Sequence, residues 1–465
     1  MIPVRTFAGK TVAVLGLGLS GLAAARALCA GRARVLAWDD DEEARRRALA
    51  CGIAVADLCL ADLSDVCAVV ASPGIALTYP EPHRIVKRAR AANIEVIGDT
   101  ELFFREIAAQ ERNAPIICIT GTNGKSTTTA LIGHILSQAG YDSVVGGNIG
   151  RPVLDLPEPV CGRHYVLEMS SYQIELTPSV HPDVGVLLNI SPDHLERHGS
   201  MTNYAAVKAR LFSRQGKADT AIVSIDDNYS ASIAERAASH ARMVHISVAR
   251  SLSPGLYVEN AVLHDVMHGK EAACVALTGI VSLRGVHNWE NAAAAYATAR
   301  ALDLTPDAIG RALRTFPGLP HRMEEVKRRG HVVFVNDSKA TNANAASYAL
   351  SAFERIYWIV GGLPKAGGIE SLKAFFPRIV RAYLIGKAAG DFAKSFEGRV
   401  NYIVSGTLDR AVVQATRDAS ADKAAEAVVL LSPACASFDQ FNDFEARGAA
   451  FRNAVGTLSE SPMNA

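Results

Sequence analysis

Apolar positions along the chain fall into short β-branched runs, each closed by a turn containing Gly, Ser, Asn or Asp and usually followed by a stretch with helical spacing. Runs of this length read as buried strands, and strands that alternate with helices build α/β domains with mainly parallel sheets. Residues 11–15, 33–38, 66–71 and 94–98 predict four strands, with one helix from the first glycine turn to about Ala30 and another from Asp99 to Arg112. Residues 116–119, 165–168 and 184–189 predict three more, followed by a helix over 204–212. Residues 240–283 alternate short β-type runs with Gly, Ser, His and Asp and predict a small antiparallel region, after which an Ala-rich helix runs to about Leu302. A Pro/Gly-rich connector at 316–322 precedes a third alternating unit, with strands at 332–335, 357–360, 382–385 and 428–431. The tail, 458–465, lacks apolar periodicity and is expected to fray.

Composition changes this picture little. At 465 residues and 49% hydrophobic the chain outgrows a single core, and domains of roughly 150 residues predict about three. Boundaries are expected at 1–98, 99–318 and 319–465. Lys plus Arg (48) nearly balance Asp plus Glu (47), which argues against nucleic acid or an anionic membrane surface as partner. The eight cysteines contain no Cys-x-x-Cys pair and sit mostly in apolar runs, so buried free thiols in a reducing cytoplasm are expected, not disulfides or zinc. No run reaches the roughly 18 apolar residues of a spanning helix, and a soluble, unexported monomer is expected. Asp41, Glu42 and Glu43 pair with Arg45, Arg46 and Arg47 at helical spacing, which reads as a solvated face.

The chemistry concentrates at Gly121-Thr122-Asn123-Gly124-Lys125-Ser126-Thr127, between a β-branched strand and a helix. Glycines there let backbone N–H groups and a helix N-terminus face an anion, Lys125 adds a cation, and Ser126 or Thr127 can reach Mg²⁺. The usual phosphate loop has Gly five residues before Gly124, where this chain has Ile119, so the cradle is a shortened variant. Glu168 ends the strand at 165–168, where a Mg²⁺ ligand belongs, although a salt-bridged edge Glu would look the same. Asp193 and His194 follow another strand exit. Lys208, among alanines, reads from the residues alone as a snorkelling surface lysine. Gly16-Leu17-Gly18-Leu19-Ser20-Gly21 with Asp39 after the second strand forms a dinucleotide-type fingerprint, and Ser72-Pro73-Gly74 closes the third strand at the same sheet edge. Taken alone, that fingerprint suits a nicotinamide-dependent oxidoreductase. Such a protein would have no use for the cradle, Glu168 or the third unit. Asn288 and Asn291 share a helix face, either capping the helix or reading a base edge.

In order and spacing, the 121–127 cradle, Gly147-Asn148-Ile149-Gly150, Leu167 to Gln173, His287-Asn288 to Asn291, Leu319 to Arg322, Asn336 to Asn342 and Ser432 to Asp439 together resemble the Mur ligases of peptidoglycan synthesis. The resemblance implies an N-terminal Rossmann-like domain with a parallel sheet that holds a uridine nucleotide, a central phosphate-loop ATPase domain, and a C-terminal Rossmann-like domain. It implies that ATP activates a carboxylate as an acyl phosphate, which an amino acid then attacks. The last two motifs point to the member joining D-glutamate to UDP-N-acetylmuramoyl-L-alanine; a sister ligase using another amino acid or L-glutamate is the near alternative. By the same resemblance, Lys125 holds the outer phosphates, Ser126 and Glu168 bind one Mg²⁺, and His194 binds a second with a carbamylated Lys208. Gly121, Thr122, Asn123, Gly124, Thr127, Asn288, Asn291, Arg322, Asp337 and Lys339 would bind ATP, from both sides of a cleft. Gly18, Leu19, Ser20, Asp39, Ser72, Pro73, Gly74, Asn148 and Ser170 would bind the UDP substrate, and Thr341, Lys365, Ser437 and Phe444 the glutamate. Asp40-Asp41 stand where some relatives carry Arg, a departure in the uracil pocket.

Overall fold

Each predicted β-branched run lies in one of three sheets of the computed structural model, which describes residues 1–110, 114–365 and 367–458. The expected helix end at 111–112 and the tail at 459–465 lie outside the described residues; within them the helix is Asp99–Ala109. The first sheet is parallel, in the order Arg34–Trp38, Thr11–Leu15, Val66–Ala71, Glu95–Ile97. The second has nine strands: Ala273–Ala276, Val262–Val266, Gly255–Glu259, Arg242–Ser247, Thr220–Ser224, Val184–Leu187, Ile116–Thr120, His164–Glu168 and Ser143–Gly147. The third runs Glu324–Arg329, Val332–Asn336, Ala427–Leu431, Ile356–Gly361, Ile379–Ile385, Tyr402–Gly406, parallel except for its first strand.

Two compact units result, one comprising Met1–Leu277 with Trp289–Thr315, the other Thr278–Asn288 with the chain from Phe316 onward. The first unit contains the first two sheets, which share a buried core through Phe103, Leu102, Tyr165 and Leu154. Gly98 N–H donates to the Leu176 carbonyl (2.9 Å), and an added Cβ at Gly98 would strike Leu176 at 2.9 Å. The end of the first sheet is thereby fixed against the central domain. In the second unit, Trp358, Phe334, Tyr383 and Phe396 fill the two faces of the third sheet.

Two expectations are corrected and one is placed. The small antiparallel region expected within 240–283 is the edge of the central sheet: Arg242–Ser247 and Gly255–Glu259 extend that sheet in parallel, and Val262–Val266 pairs antiparallel with both Gly255–Glu259 and Ala273–Ala276. The cysteines are all free, but only Cys118 and Cys435 are buried, while Cys29, Cys51, Cys67, Cys161 and Cys274 are exposed. A short apolar run does not say which of its alternating positions faces water. Finally, the helix expected over 204–212 is Met201–Ala209 followed by a 3₁₀ turn, and Lys208 on it is 1% exposed, not snorkelling.

Candidate active site

The fully buried strand Ile116–Thr120 feeds the helix Lys125–Gln138 through the glycine cradle. Gly124, at φ +83°, is its left-handed N-cap, and a Cβ there would lie 2.2 Å from Asn291 Oδ1. Only glycine fits both demands. Thr122 N–H donates to the Asn189 carbonyl (2.8 Å), and Asn123 N–H to Asn189 Oδ1 (2.9 Å). Asn189 in turn donates to Glu290 Oε2 (2.8 Å), and burial raises the Glu290 carboxyl to about 7. Lys125 Nζ folds back onto the carbonyls of Gly121 (3.0 Å) and Thr122 (2.8 Å). Ser126 is buried and Thr127 half-buried, on the first turn of the helix.

Two neighbouring strand ends carry the acids. Glu168, 3% exposed, accepts from Asn148 Nδ2 at Oε1 (2.9 Å), while its buried Oε2 has no hydrogen-bond partner. A buried carboxylate oxygen left unpaired is costly, and a cation is the ligand that would pair it. Lys208 Nζ donates to the Gly121 carbonyl (2.8 Å) and Thr120 Oγ1 (3.2 Å) and sits 4.7 Å over the Tyr204 ring. Burial and the Lys125 charge push Lys208 well below its ordinary value, against a smaller opposing pull from Asp193 and Glu168. Both causes favour the neutral amine over the ammonium form. His194 is left-handed at φ 52°; its Nδ1 lies 3.0 Å from Tyr172 OH and its Nε2 3.4 Å from Asp193 Oδ2. Ser170 heads the short helix Ser171–Glu175, and its hydroxyl is engaged in a capping box with Gln173.

At the first sheet, Gly16 (φ +88°) and Gly21 pack so closely that a Cβ at Gly21 would meet the Gly16 carbonyl oxygen at 1.8 Å. Ser72 Oγ donates to that same oxygen (2.9 Å), and Asp39 accepts from Leu17 N–H (2.6 Å), so both lock the turn. Gly18 and Leu19 are exposed at its tip and Ser20 is half-buried; Pro73 is half-buried and Gly74 exposed. Asp40 pairs with His83 (3.1 Å) and Arg84 (2.7 Å), and Asp41 caps the next helix.

In the second unit, Asp337 is buried, accepts from Ser432 Oγ (2.8 Å) and Met323 N–H (3.3 Å), and is raised to about 7 by burial, with Arg322 opposing. Lys339 Nζ lies 5.0 Å over the Phe444 ring. Thr341 is half-buried after the same loop, Ser437 is buried and Lys365 exposed. Asn288 belongs to this unit, whereas Asn291, one turn on, belongs to the first.

The chain matches a Mur ligase MurD-like N-terminal domain over residues 10–98, a Mur ligase middle domain over 119–299 and a Mur ligase glutamate ligase domain over 321–435. It is 54% identical over 459 residues to the UDP-N-acetylmuramoylalanine–D-glutamate ligase of Chelativorans sp. (strain BNC1), covering 98% of each chain. The chain belongs to the Mur ligase family. The ligase of that name from Caulobacter vibrioides (strain NA1000 / CB15N) is 54% identical over 463 residues, covering 99% of this chain and 98% of its own. Among solved structures, UDP-N-acetylmuramate-alanine ligase MurC from Thermotoga maritima shares the fold, with TM-score 0.59 at 17% identity, covering 97% of this chain and all (100%) of that one.

Membership in the Mur ligases sets aside the oxidoreductase reading of the glycine turn. Several residues of this Mur ligase chain escaped sequence reasoning. Asn189 and Glu290 pin the cradle, yet Asn189 was legible only as a strand exit and Glu290 not at all. Arg447, 1% exposed, donates to Ser338 Oγ (3.0 Å), Ser338 O (2.8 Å) and Cys435 O (3.1 Å), tying the 336–342 loop to the 432–439 loop. A lone Arg in an alanine-rich helix gives no such signal. Among the described residues no helix is long and apolar enough to cross a membrane.

Proposed function

We propose that this chain joins D-glutamate to UDP-N-acetylmuramoyl-L-alanine in the cytoplasm, with hydrolysis of ATP to ADP and phosphate, as a step of peptidoglycan synthesis and cell-wall biogenesis. The observation that carries this reading is 54% identity, across nearly the whole length of both chains, to ligases of that name. Residues 1–98 bind the uridine nucleotide through Gly18, Leu19, Ser20, Asp39 and Ser72 to Gly74. Residues 99–318 bind ATP, and residues 319–465 supply the glutamate contacts Thr341, Lys365, Ser437 and Phe444.

A carboxylate is a poor acyl donor, so the terminal alanine carboxylate first attacks the γ-phosphorus of ATP, releasing ADP and leaving an acyl phosphate. The glutamate amine then attacks the carbonyl carbon, and the resulting tetrahedral species expels phosphate as the amide forms. Mg²⁺, when bound, neutralises phosphate charge along this path. Ser126 and Glu168 would hold one ion, consistent with the unpartnered Glu168 Oε2, and His194 the other. Gly121 to Thr127 cradle the phosphates, where Lys125 exchanges its loop carbonyls for the outer phosphate. Asn291, Asn288, Arg322, Asp337 and Lys339 supply further ATP contacts, and Asn148 and Ser170 orient the muramoyl-alanine. Lys208, as the neutral amine that burial favours, would attack CO₂; formation of the N–C bond and loss of a proton would give a carbamate anion in place of that buried amine.

The test is phosphate release by the purified chain with ATP, Mg²⁺ and UDP-N-acetylmuramoyl-L-alanine, offering each amino acid in turn. Release that depends on D-glutamate is expected. Release with L-glutamate or another amino acid alone moves the chain to a sister activity, and no release with either glutamate enantiomer overturns the proposal.

A further inference from the structure

The hairpin at the far edge of the central sheet carries a second cluster of chemistry. Strand register places Tyr257, His264 and Cys274 in one row across three strands, with Tyr257 opposite His264 and His264 opposite Cys274. Directly opposed residues on one face bring their side chains together. The Tyr257 ring stacks flat on His264, 4.6 Å between centroids and 8° between planes, which fixes the imidazole. The connecting loop then folds back over the row. Asp265, fully buried (0% exposed), takes Met267 N–H (3.2 Å) at its carboxylate and Ala272 N–H (2.7 Å) at its carbonyl. The same carboxylate accepts from Tyr296 OH (3.1 Å) and Arg300 Nε (3.2 Å), anchoring the hairpin to the helix Val286–Ala301.

The loop delivers Glu271 to the row. Its Oε1 lies 2.7 Å from His264 Nδ1 and 3.0 Å from Cys274 Sγ, and Sγ lies 3.4 Å from Nδ1. The three donor atoms therefore form a small triangle, each within 4.8 Å of the others. From this geometry we infer that His264 Nδ1, Glu271 Oε1 and Cys274 Sγ form a Zn²⁺ site, separate from the ligase chemistry.

Bond lengths of about 2.0–2.1 Å to nitrogen and oxygen and 2.3 Å to sulfur place tetrahedral ligand atoms roughly 3.3–3.6 Å apart. The sulfur-to-nitrogen edge already fits; Glu271, exposed on its loop, needs to withdraw by about half an ångström. Thiolate, imidazole and carboxylate together suit a borderline-soft ion and not Mg²⁺, which takes oxygen ligands and keeps its waters. Three protein ligands leave a fourth position for water. In the metal-free hairpin protons fill the triangle: hydrogen bonding to Glu271 holds the Cys274 thiol above its ordinary value, and contacts with His264 and Cys274 hold the Glu271 carboxyl below its own. Binding exchanges those protons for the metal. The thiol proton is released to solvent, and the imidazole proton moves to Nε2, leaving the Nδ1 lone pair for the ion.

The full-length protein is titrated with Zn²⁺ in millimolar Mg²⁺, which occupies sites built for hard cations, and with Co²⁺ as a spectroscopic probe. One equivalent of Zn²⁺ is expected to bind, more tightly as pH rises, and Co²⁺ to give a thiolate-to-metal charge-transfer band. Cys274→Ser and His264→Gln should abolish the band and weaken Zn²⁺ binding by more than the 10–100-fold typical of losing an outer-shell partner, with ATP turnover unchanged. The four other exposed cysteines remain in both variants and serve as the background. Glu271→Gln, on an exposed loop, provides a third variant whose fold is not at risk. A wild-type Co²⁺ complex without the band, or variants that keep stoichiometric Zn²⁺ binding, overturns the proposal.

Discussion

Lys208→Met tests whether the buried amine is neutral in the folded chain. Methionine nearly conserves volume, and volume-conserving core exchanges cost less than about 1.5 kcal/mol. The Gly121 carbonyl keeps a partner, because Lys125 Nζ also donates to it at 3.0 Å, so little of the 1–3 kcal/mol for an orphaned acceptor applies. The contact of Nζ with the Tyr204 ring is replaced by a sulfur–aromatic contact of similar size, about 0.3–1.5 kcal/mol. At high pH the two proteins should therefore differ by only about 1 kcal/mol. The pH dependence is the sharper quantity. Lys208 is held well below 10.5 when folded, so between its folded value and 10.5 the unfolded chain binds a proton that the folded chain does not. Stability lost to this burial is nil above 10.5, grows as pH falls, and is complete below the folded value. Relative to the methionine variant, wild type should thus gain up to about 1.4 kcal/mol per pH unit as pH rises through this window. Urea unfolding in CO₂-free buffer measures it, with Trp358→Phe as background so that Trp38 and Trp289 report only the unit containing Lys208. Parallel pH profiles for the two proteins would refute a buried neutral amine. In turnover, Lys208→Ala should be nearly inactive and partly rescued by short carboxylic acids; normal turnover would sink the carbamate.

Glu168→Gln replaces one carboxylate oxygen by an amide NH₂ and removes the charge while keeping shape; the Mg²⁺ concentration needed for half-maximal phosphate release should rise at least about 10–100-fold, and an unchanged Mg²⁺ dependence would exclude Glu168 as a ligand. Gly124→Ala forces a Cβ into Asn291 Oδ1 and into a left-handed backbone costing about 1–2 kcal/mol. Nucleotide affinity, read by calorimetry, should fall with it, and wild-type affinity would show that the loop does not contact ATP. Arg447→Lys cannot reproduce the three-way fork and should destabilise the second unit by about 2–3 kcal/mol while raising KM for glutamate more than for ATP; equal shifts in both would assign Arg447 a purely structural role.

With the exception of Thr220–Ser224, the strands buried on both faces were legible, because such strands consist of β-branched residues without a polar face. Three of the four unexpected strands lie at sheet edges. Glu324–Arg329 (Glu-Glu-Val-Lys-Arg-Arg) and Tyr402–Gly406 flank the third sheet, and Ser143–Gly147 ends the second. Edge strands carry charge and glycine, which protects an open edge but erases the apolar signal. Thr220–Ser224 is central and β-branched, so its absence from the expected set has no such reason. Glu168 ends a strand of the central sheet and Asp337 directly follows a strand of the third, so their positions at strand exits were legible from the apolar runs before them. The Ser170 hydroxyl shows the limit of that guide, for its engagement in a capping box depends on Gln173 accepting in return.

Lys208 was illegible for a different reason. Its helix, Met201–Ala209, carries Thr202, Asn203 and Ala206 toward solvent, and alanine neighbours are as compatible with an exposed lysine as with a buried one. Burial is decided by Thr120 and Gly121, some 87 residues earlier in the chain, and no local pattern reports a contact of that span. Energetically the choice is poor. A methionine or leucine at 208 would fill the same volume without desolvating an amine beside Lys125, and no carboxylate hydrogen-bonds Nζ to offset that cost. A position that breaks the local rules for a core and gains nothing visible in stability is where chemistry is expected to reside. The orphaned Oε2 of Glu168 is the same kind of departure. Burial disfavours the charged form of Lys208, and Glu168 leaves Oε2 without a hydrogen-bond donor. Under the proposed function both costs would be relieved by the same event, the arrival of cations and phosphate at this corner.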